Sequence, residues 1–108
     1  MAEIYPGAGR FDPVAVAEPH WIEHGRSRHL SVGTYSIAAG QDDTQVPHHE
    51  DEIYVVTSGR ARFVGPGLDD EVGPGTTIFV AAGEEHRFLD IASDFSCLVI
   101  FAPPESDP

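Results

Sequence analysis

Residues 45–59 read QVPHHEDEIYVVTSG and place imidazoles and carboxylates directly before a β-branched, aromatic run. Such a run is typical of a buried strand. Successive side chains of a strand point to opposite faces, so we expect His48, Glu50 and Glu52 to share one face. His49 then points the other way. The stretch predicts a cluster of metal-ligand side chains held on a rigid strand.

A further histidine supplies the third ligand that such a cluster needs. Residues 75–90 read GTTIFVAAGEEHRFLD, which predicts a strand, a turn marked by glycine, and His86 at the start of the next strand. His48, Glu52 and His86 together give two imidazoles and one carboxylate, the composition of non-haem iron facial triads. The same donors suit Mn, Ni, Co or Zn, and zinc would instead activate a bound water. The sequence therefore predicts a divalent metal ion without fixing its identity.

The same side chains allow a second interpretation without metal. A histidine and a glutamate inside a small barrel can hydrogen-bond each other and form a polar pocket for a ligand. Glu50 and His49 are possible extra metal ligands, although Glu50 also belongs to an ordinary charged run and His49 suits an outward position. Gln45 could reach the rim of the pocket. Both interpretations stay open at this stage.

Aromatic residues accompany the cluster and suggest a small-molecule pocket. Tyr54 lies two residues after Glu52 and should face the same cavity, which makes Tyr54 and Glu50 the candidate catalytic residues. With Phe79 and Phe88, Tyr54 would line an apolar pocket with one hydroxyl group, although core packing alone would also explain these residues and is the favoured account for the two phenylalanines. Arg62 and Arg87 are surface residues or partners of an acidic substrate.

The two stretches resemble the paired motifs of the cupins. Gly40, His48, Glu52 and Gly59 match the spacing of the first cupin motif, and the second is matched by Gly75, Gly83 and His86. The resemblance covers residues 30 to 101. It implies a double-stranded β-helix, or jelly-roll barrel, with a metal in its mouth. It also implies a homodimer in which the N-terminal arm lies across the partner subunit.

Three positions depart from the cupin motifs. Val46 stands where the first motif histidine is expected, Ala81 replaces the motif proline, and Asp90 replaces the final asparagine. Cupins usually hold their metal with three histidines and a glutamate, so the resemblance carries over only His48, Glu52 and His86. The departure at Val46 is the one that weakens the metal prediction.

Composition excludes several classes of function. Eighteen acidic and six basic side chains give a formal net charge of −12, which repels nucleic acid and anionic membrane surfaces. We expect no secretory signal and no membrane span, and therefore a cytoplasmic protein whose partner is a small molecule. The single cysteine, Cys97, lies in an apolar run and is expected to be a packed thiol.

Short apolar segments separated by Gly and Pro corners predict an all-β fold with little or no helix. We expect an extended N-terminal arm over residues 1–20, with a short edge strand around Val14 to Val16, and a barrel over residues 21–102. Residues 103–108 are expected to form a disordered tail. Residues 21–28 look irregular, and residues 41–44 look like a solvated turn.

The leading functional hypothesis is a metal-dependent cupin that acts on a small oxygen-bearing organic molecule. A dioxygenase-type reaction comes first, and an isomerase- or lyase-type reaction follows. The alternative is a non-catalytic binding or sensing module without metal. The substrate cannot be chosen from the fold alone, because one barrel carries many unrelated reactions.

Overall fold

A computed structural model describes residues 1–106, and within them it has one short helix and eight strands. The helix is a single 3-10 turn, Pro13–Val16. The strands are β1 (His20–Arg26), β2 (Ser31–Ile37), β3 (Asp51–Ser58), β4 (Ala61–Gly65), β5 (Leu68–Val72), β6 (Thr77–Val80), β7 (Arg87–Leu89) and β8 (Phe95–Ala102). In this part of the chain, no helix is long and apolar enough to cross a membrane.

The strands form two antiparallel sheets that enclose one core. The larger sheet has the order β1-β2-β8-β3-β6, and the smaller one has the order β5-β4-β7. The buried side chains of both sheets form one apolar cluster, which includes Ile37, Phe63, Phe88 and Phe95. This arrangement confirms the predicted all-β jelly roll.

β3 is the strand that carries the predicted site. Its inward residues Glu52, Tyr54 and Val56 are buried and alternate with more exposed residues. β3 lies between β8 and β6, so that Glu52 pairs with Phe101 on one side and with Val80 on the other. The carboxylate is therefore fixed in the interior by strands on both sides.

Gly59 ends β3 and shows why the motif needs glycine there. Its φ of +80° lies in the left-handed region, and a Cβ would stand 2.4 Å from the carbonyl oxygen of Asp94. Any larger residue would therefore meet backbone as well as torsional strain. The glycine lets β3 turn sharply into β4.

The N-terminal arm packs on the larger sheet. Gly9 N donates to Thr34 Oγ1 at 2.8 Å and Asp12 N donates to Ser36 Oγ at 3.1 Å. These β2 side chains alternate with the inward-facing Tyr35, so the arm covers the outer face of the sheet. The expected edge strand near Val14 is wrong, because Pro13 begins a 3-10 turn that Asp12 caps through Val14 N.

One segment expected to be irregular has defined structure. Residues 20–26 form β1, an edge strand whose register shifts between Glu23 and Gly25. This irregularity interrupts the alternation that would have revealed a strand in the sequence.

Phe95, Cys97 and Val99 of β8 are buried, and burial raises the pKa of the Cys97 thiol, as suits a packed residue.

The C-terminal segment contacts the barrel after β8 ends at Ala102. Glu105 N donates to Ser31 Oγ at 3.0 Å, and Ser106 Oγ donates to Glu50 Oε2 at 2.8 Å. The predicted tail also includes residues 107 and 108, which lie outside the described residues.

Candidate functional site

Glu52 and His86 meet inside the barrel. Glu52 projects inward from β3, and His86 stands immediately before β7. Glu52 Oε1 lies 3.2 Å from His86 Nε2, and each side chain is only 2% exposed. The approach lacks hydrogen-bond geometry, and Glu52 Oε1 has no hydrogen-bond partner among residues 1–106. The pair is a buried electrostatic contact with an unsatisfied oxygen.

The other ring nitrogen of His86 is occupied. His86 Nδ1 lies 2.9 Å from the carbonyl oxygen of Glu84, which can only accept a proton. Nδ1 therefore carries hydrogen. Nε2 keeps its lone pair in the neutral ring, and in the protonated ring it carries a second hydrogen that it can donate to the Tyr54 oxygen. Nε2 faces both Glu52 and the hydroxyl of Tyr54, which lies 2.9 Å away.

A chain of hydrogen bonds extends from Tyr54 to Asp43. Tyr54 O–H donates to Gln45 Oε1 at 2.8 Å, and Gln45 Nε2 donates to Asp43 Oδ2 at 2.8 Å. Asp43 also accepts from the hydroxyl of Tyr35 at 2.8 Å and from Phe88 N at 2.9 Å. Asp43 is only 3% exposed, so the expectation of a solvated turn is wrong at this position. Its acceptor oxygens hold the loop before β3 against β7.

The electrostatics of the buried groups follow from this geometry. Burial alone would lower the pKa of His86, but the Glu52 carboxylate and the Glu84 carbonyl outweigh it and raise that pKa above its usual value. Burial and the nearby Glu52 carboxylate raise the pKa of Tyr54. Burial and Asp43 likewise raise the pKa of Tyr35. Both phenols are therefore neutral hydrogen-bond donors at physiological pH.

A cavity of about 420 Å³ opens beside Glu52 and Tyr54. Trp21, Tyr35 and Phe101 contribute aromatic surface to it. Its polar lining comes from Glu23, Arg26, Gln45, His48, Glu52 and Glu105. Aromatic walls with a few polar groups are typical of a site for a small organic molecule.

His48 belongs to the same cavity but faces a different partner. Its Nδ1 lies 3.2 Å from Glu105 Oε2, and its ring centroid is 6.4 Å from that of His86. The structure therefore brings Glu52 and His86 into contact and leaves His48 beside them. No three His, Cys, Asp or Glu side chains within residues 1–106 are grouped closely enough to hold a metal ion.

The remaining predicted residues divide between site and surface. Glu50 is buried, and its Oε1 has no hydrogen-bond partner among the described residues, whereas His49 is exposed.

Phe88 packs beneath Tyr54 with ring centroids 5.0 Å apart. Phe79 is 63% exposed, so the prediction that it lines the pocket is wrong. It points outward because its neighbours Ile78 and Val80 on β6 take the inward positions.

Arg62 and Arg87 lie outside the cavity. Arg62 pairs with Asp69 at 2.6 Å and with Asp90 at 2.8 Å on the surface, and Arg87 is exposed. Neither arginine contributes to the cavity that Glu52 borders. Arg26 does line this cavity. It lies on β1, a strand that the sequence pattern did not indicate.

Gln45, rather than the neighbouring Val46, faces the site. Val46 is 62% exposed, while Gln45 borders the cavity and contacts Tyr54. These residues precede the first residue of β3, so strict strand alternation does not apply to them. The motif spacing assigns Val46 to the position of the first motif histidine, but the side chain that faces the site is the amide of Gln45.

The donors near Glu52 are compatible with a divalent cation. Glu52 Oε1 is a buried oxygen without a hydrogen-bond partner, and Nε2 of His86 is the nitrogen directed at it. Imidazole nitrogen and carboxylate oxygen are common ligands of divalent transition metals. Glu52 and His86 fit as a donor pair. Glu52 and His48 line the cavity, whereas His86 is not among its lining residues, and the ring centroids of the two histidines are 6.4 Å apart.

Comparison with known proteins identifies a relative over most of the chain. No protein-family model matches the chain. The uncharacterized protein SCO3923 of Streptomyces coelicolor is 42% identical over 86 residues, which cover 80% of this chain and 82% of the relative. Identity at this level over most of both chains indicates common descent and a shared fold.

Solved structures show the same architecture. An RmlC-like cupin protein from Desulfovibrio desulfuricans superposes with a TM-score of 0.74 and 22% identity, covering 96% of this chain and 97% of that one. The DMSP lyase DddQ from Ruegeria pomeroyi DSS-3 gives a TM-score of 0.73 at 21% identity. This chain is covered to 93% but spans only 54% of the lyase, and at these identities the likeness shows the fold alone. The chain therefore belongs to the family of the Streptomyces protein, and its fold is that of a small cupin.

Proposed function

We propose that this cupin holds a divalent metal ion through His48, Glu52 and His86 and acts on a small oxygen-bearing organic molecule. The observation that carries the proposal is the buried Glu52 oxygen, which has no hydrogen-bond partner among the described residues and lies 3.2 Å from His86 Nε2. Leaving a buried carboxylate oxygen unsatisfied is costly. A cation between these two atoms would satisfy both.

The states of the two histidines support the same proposal. Nδ1 of His86 faces the Glu84 carbonyl, and Nδ1 of His48 faces the Glu105 carboxylate. Metal-ligating histidines commonly donate one ring N–H to an oxygen acceptor and bind through the other nitrogen. The same division would leave Nε2 of each ring as the metal ligand.

The chain's own residues would bind and orient the organic ligand. Trp21 and Phe101 cover its apolar part, and the neutral Tyr54 hydroxyl offers a hydrogen-bonding group beside His86. A bound divalent ion would supply Lewis acidity and open coordination positions for ligand oxygens. The Tyr54 O–H and His86 Nε2 are the atoms at which a proton can be held or moved.

Two reaction classes suit this arrangement. A dioxygenase-type reaction needs a redox-active ion such as iron, whereas an isomerase- or lyase-type reaction can proceed with zinc. The Ruegeria protein, which is similar in fold, is a lyase. The metal that restores activity therefore separates the two reaction classes. Activity that requires both iron and O₂ favours the oxygenase. Activity with zinc in the absence of O₂ favours the isomerase or lyase.

Elemental analysis of purified and reconstituted protein tests the proposal. We expect about one Fe, Mn, Ni, Co or Zn ion per wild-type chain. Glu52→Gln, His86→Ala and His48→Ala should each lose it, with circular dichroism confirming that the variants fold. His29→Ala is the matched control, because His29 is exposed and should leave metal content unchanged. Wild-type protein that stays metal-free after reconstitution would refute the metal site.

A metal-free binding module is the second candidate. It is favoured by the hydrogen-bond chain from Asp43 through Gln45 to Tyr54, which is complete without a cation. It is also favoured by the absence of a three-donor group within residues 1–106. A wild-type chain that cannot be loaded with metal, yet binds small aromatic or oxygen-bearing compounds in the cavity, would support this candidate.

The proposal includes a homodimer in the cytoplasm. Light scattering coupled to size-exclusion chromatography measures the number of chains directly. A mass equal to one chain, 11.7 kDa, would remove the dimer from the proposal.

A further inference from the structure

The C-terminal segment, residues 103–106, lies at the mouth of the cavity. Its backbone is held there by Glu105 N on Ser31 Oγ and by Arg26 Nη2 on the Glu105 carbonyl at 2.8 Å. Ser106 adds bonds from its N and Oγ to the buried Glu50 carboxylate. The contacts join the segment to β1, to β2 and to the loop before β3. They place the side chain of Glu105 among the residues that line the cavity.

Glu105 and Phe101 hold the ring of His48 from two sides. Glu105 Oε2 lies 3.2 Å from His48 Nδ1, with the two side chains only 21% and 20% exposed. Phe101 meets the ring edge to face at a centroid distance of 4.7 Å. The two ring nitrogens point in diverging directions, so the contact of Nδ1 with Glu105 directs Nε2 elsewhere.

We propose that Glu105 is a positioning residue, whose carboxylate 3.2 Å from Nδ1 favours hydrogen on that nitrogen by its charge and so leaves the Nε2 lone pair of His48 for the metal. The role in metal binding rests on the proposed function, but the choice of tautomer is a property of the metal-free chain. Glu105 thus acts on His48 as the Glu84 carbonyl acts on His86. In both histidines of the site, Nδ1 then carries the hydrogen and Nε2 keeps the lone pair.

The tautomer of His48 provides the first test, by long-range ¹H–¹⁵N NMR on chelator-treated protein. The neutral ring of wild-type His48 should be the Nδ1–H tautomer. Glu105→Ala should shift it towards the Nε2–H form that free imidazole side chains prefer. Glu105→Gln should retain the Nδ1–H form, because its amide oxygen still accepts. The exposed Glu18→Ala is the matched control and should change nothing.

Metal affinity provides the second test, by competition titration with Zn²⁺ or Co²⁺. Glu105→Ala should weaken binding about 10- to 100-fold, the usual effect of removing a carboxylate that supports a metal-binding histidine. Glu105→Gln should recover part of this loss, and Glu18→Ala should bind as the wild type does. Ser106→Ala, which keeps Glu105 but removes a bond to Glu50, should weaken binding to a smaller extent.

The outcomes separate this inference from the metal site itself. A wild type that binds no metal, together with the expected tautomer shift, would defeat the metal site and leave the Glu105 contact in place. Metal binding that needs His48, Glu52 and His86 but is unchanged in Glu105→Ala would overturn the inference alone. Tighter metal binding in Glu105→Ala would also overturn it, because the segment would then be competing with the metal.

Discussion

The phenolic oxygen of Tyr54 lies 2.9 Å from Nε2 of His86, and the same hydroxyl donates to Gln45 Oε1 at 2.8 Å. Tyr54 is completely buried. One hydroxyl thus connects the imidazole before β7 with the loop before β3. The buried polar groups of the barrel act as one unit, and changes to any member should be felt by the others.

Tyr54→Phe keeps the aromatic packing and removes this link. We expect a loss of about 0.5–1.5 kcal/mol in the free energy of unfolding, because the half-buried Gln45 Oε1 loses its hydrogen-bond donor. Urea unfolding at fixed pH measures the loss. Tyr5→Phe, at a partly exposed tyrosine of the N-terminal arm, should change stability by less than about 0.5 kcal/mol. Equal effects in both variants would contradict the role assigned to the Tyr54 hydroxyl.

The stability of the metal-free protein should depend on the protonation of His86. The pKa of His86 is raised in the folded state, so the folded protein binds this proton more tightly than the unfolded chain does. The resulting stabilisation is fully present below the ordinary histidine pKa of about 6.5 and is lost as pH rises through the folded-state pKa. The advantage of wild type over His86→Gln in urea unfolding should therefore shrink as pH rises. An advantage that grows across this range would show that the sign is wrong.

Asp43→Asn should destabilise the loop before β3 and its contact with β7. Asp43 accepts hydrogen bonds from Tyr35, Gln45 and the backbone of Phe88, and an amide turns one acceptor oxygen into a donor. Since hydrogen bonds to charged groups contribute about 1.5–3 kcal/mol each, we expect a loss of at least that size in thermal or urea unfolding. The neighbouring Asp42 is exposed, and Asp42→Asn should be nearly neutral.

Phe88 and Phe79 should respond in opposite ways to the same substitution. Phe88 is completely buried, and Phe88→Ala should cost about 3–5 kcal/mol because it leaves a cavity beneath Tyr54. Phe79 is 63% exposed on β6, so Phe79→Ala should stay within about 0.5–1 kcal/mol. Unfolding midpoints of the two variants measure the contrast. A large loss from Phe79→Ala would mean that its face is covered.

Most of the fold could be predicted from the sequence because local and global signals agree. β3 and β8 are β-branched and aromatic runs bounded by turn residues, and Gly59 stands where a side chain would meet Asp94. β1 could not be predicted in this way. It is a polar edge strand that depends on pairing with β2, and that pairing is not encoded in its own pattern.

The candidate site was predicted only in part. Strand periodicity correctly placed Glu52 and Tyr54 on the inner face of β3, but it does not extend to the loop that precedes the strand. There the backbone turns Gln45 inward and Val46 outward. Asp43 and Glu105 were missed because their roles arise from long-range contacts, with Phe88 and His48 respectively, that no local spacing reveals.

The docking of Ser106 on Glu50 makes residues 103–106 part of the cavity wall, because it holds Glu105 among the lining residues. Releasing this segment would widen the cavity and remove one carboxylate from its lining without changing any strand of the barrel.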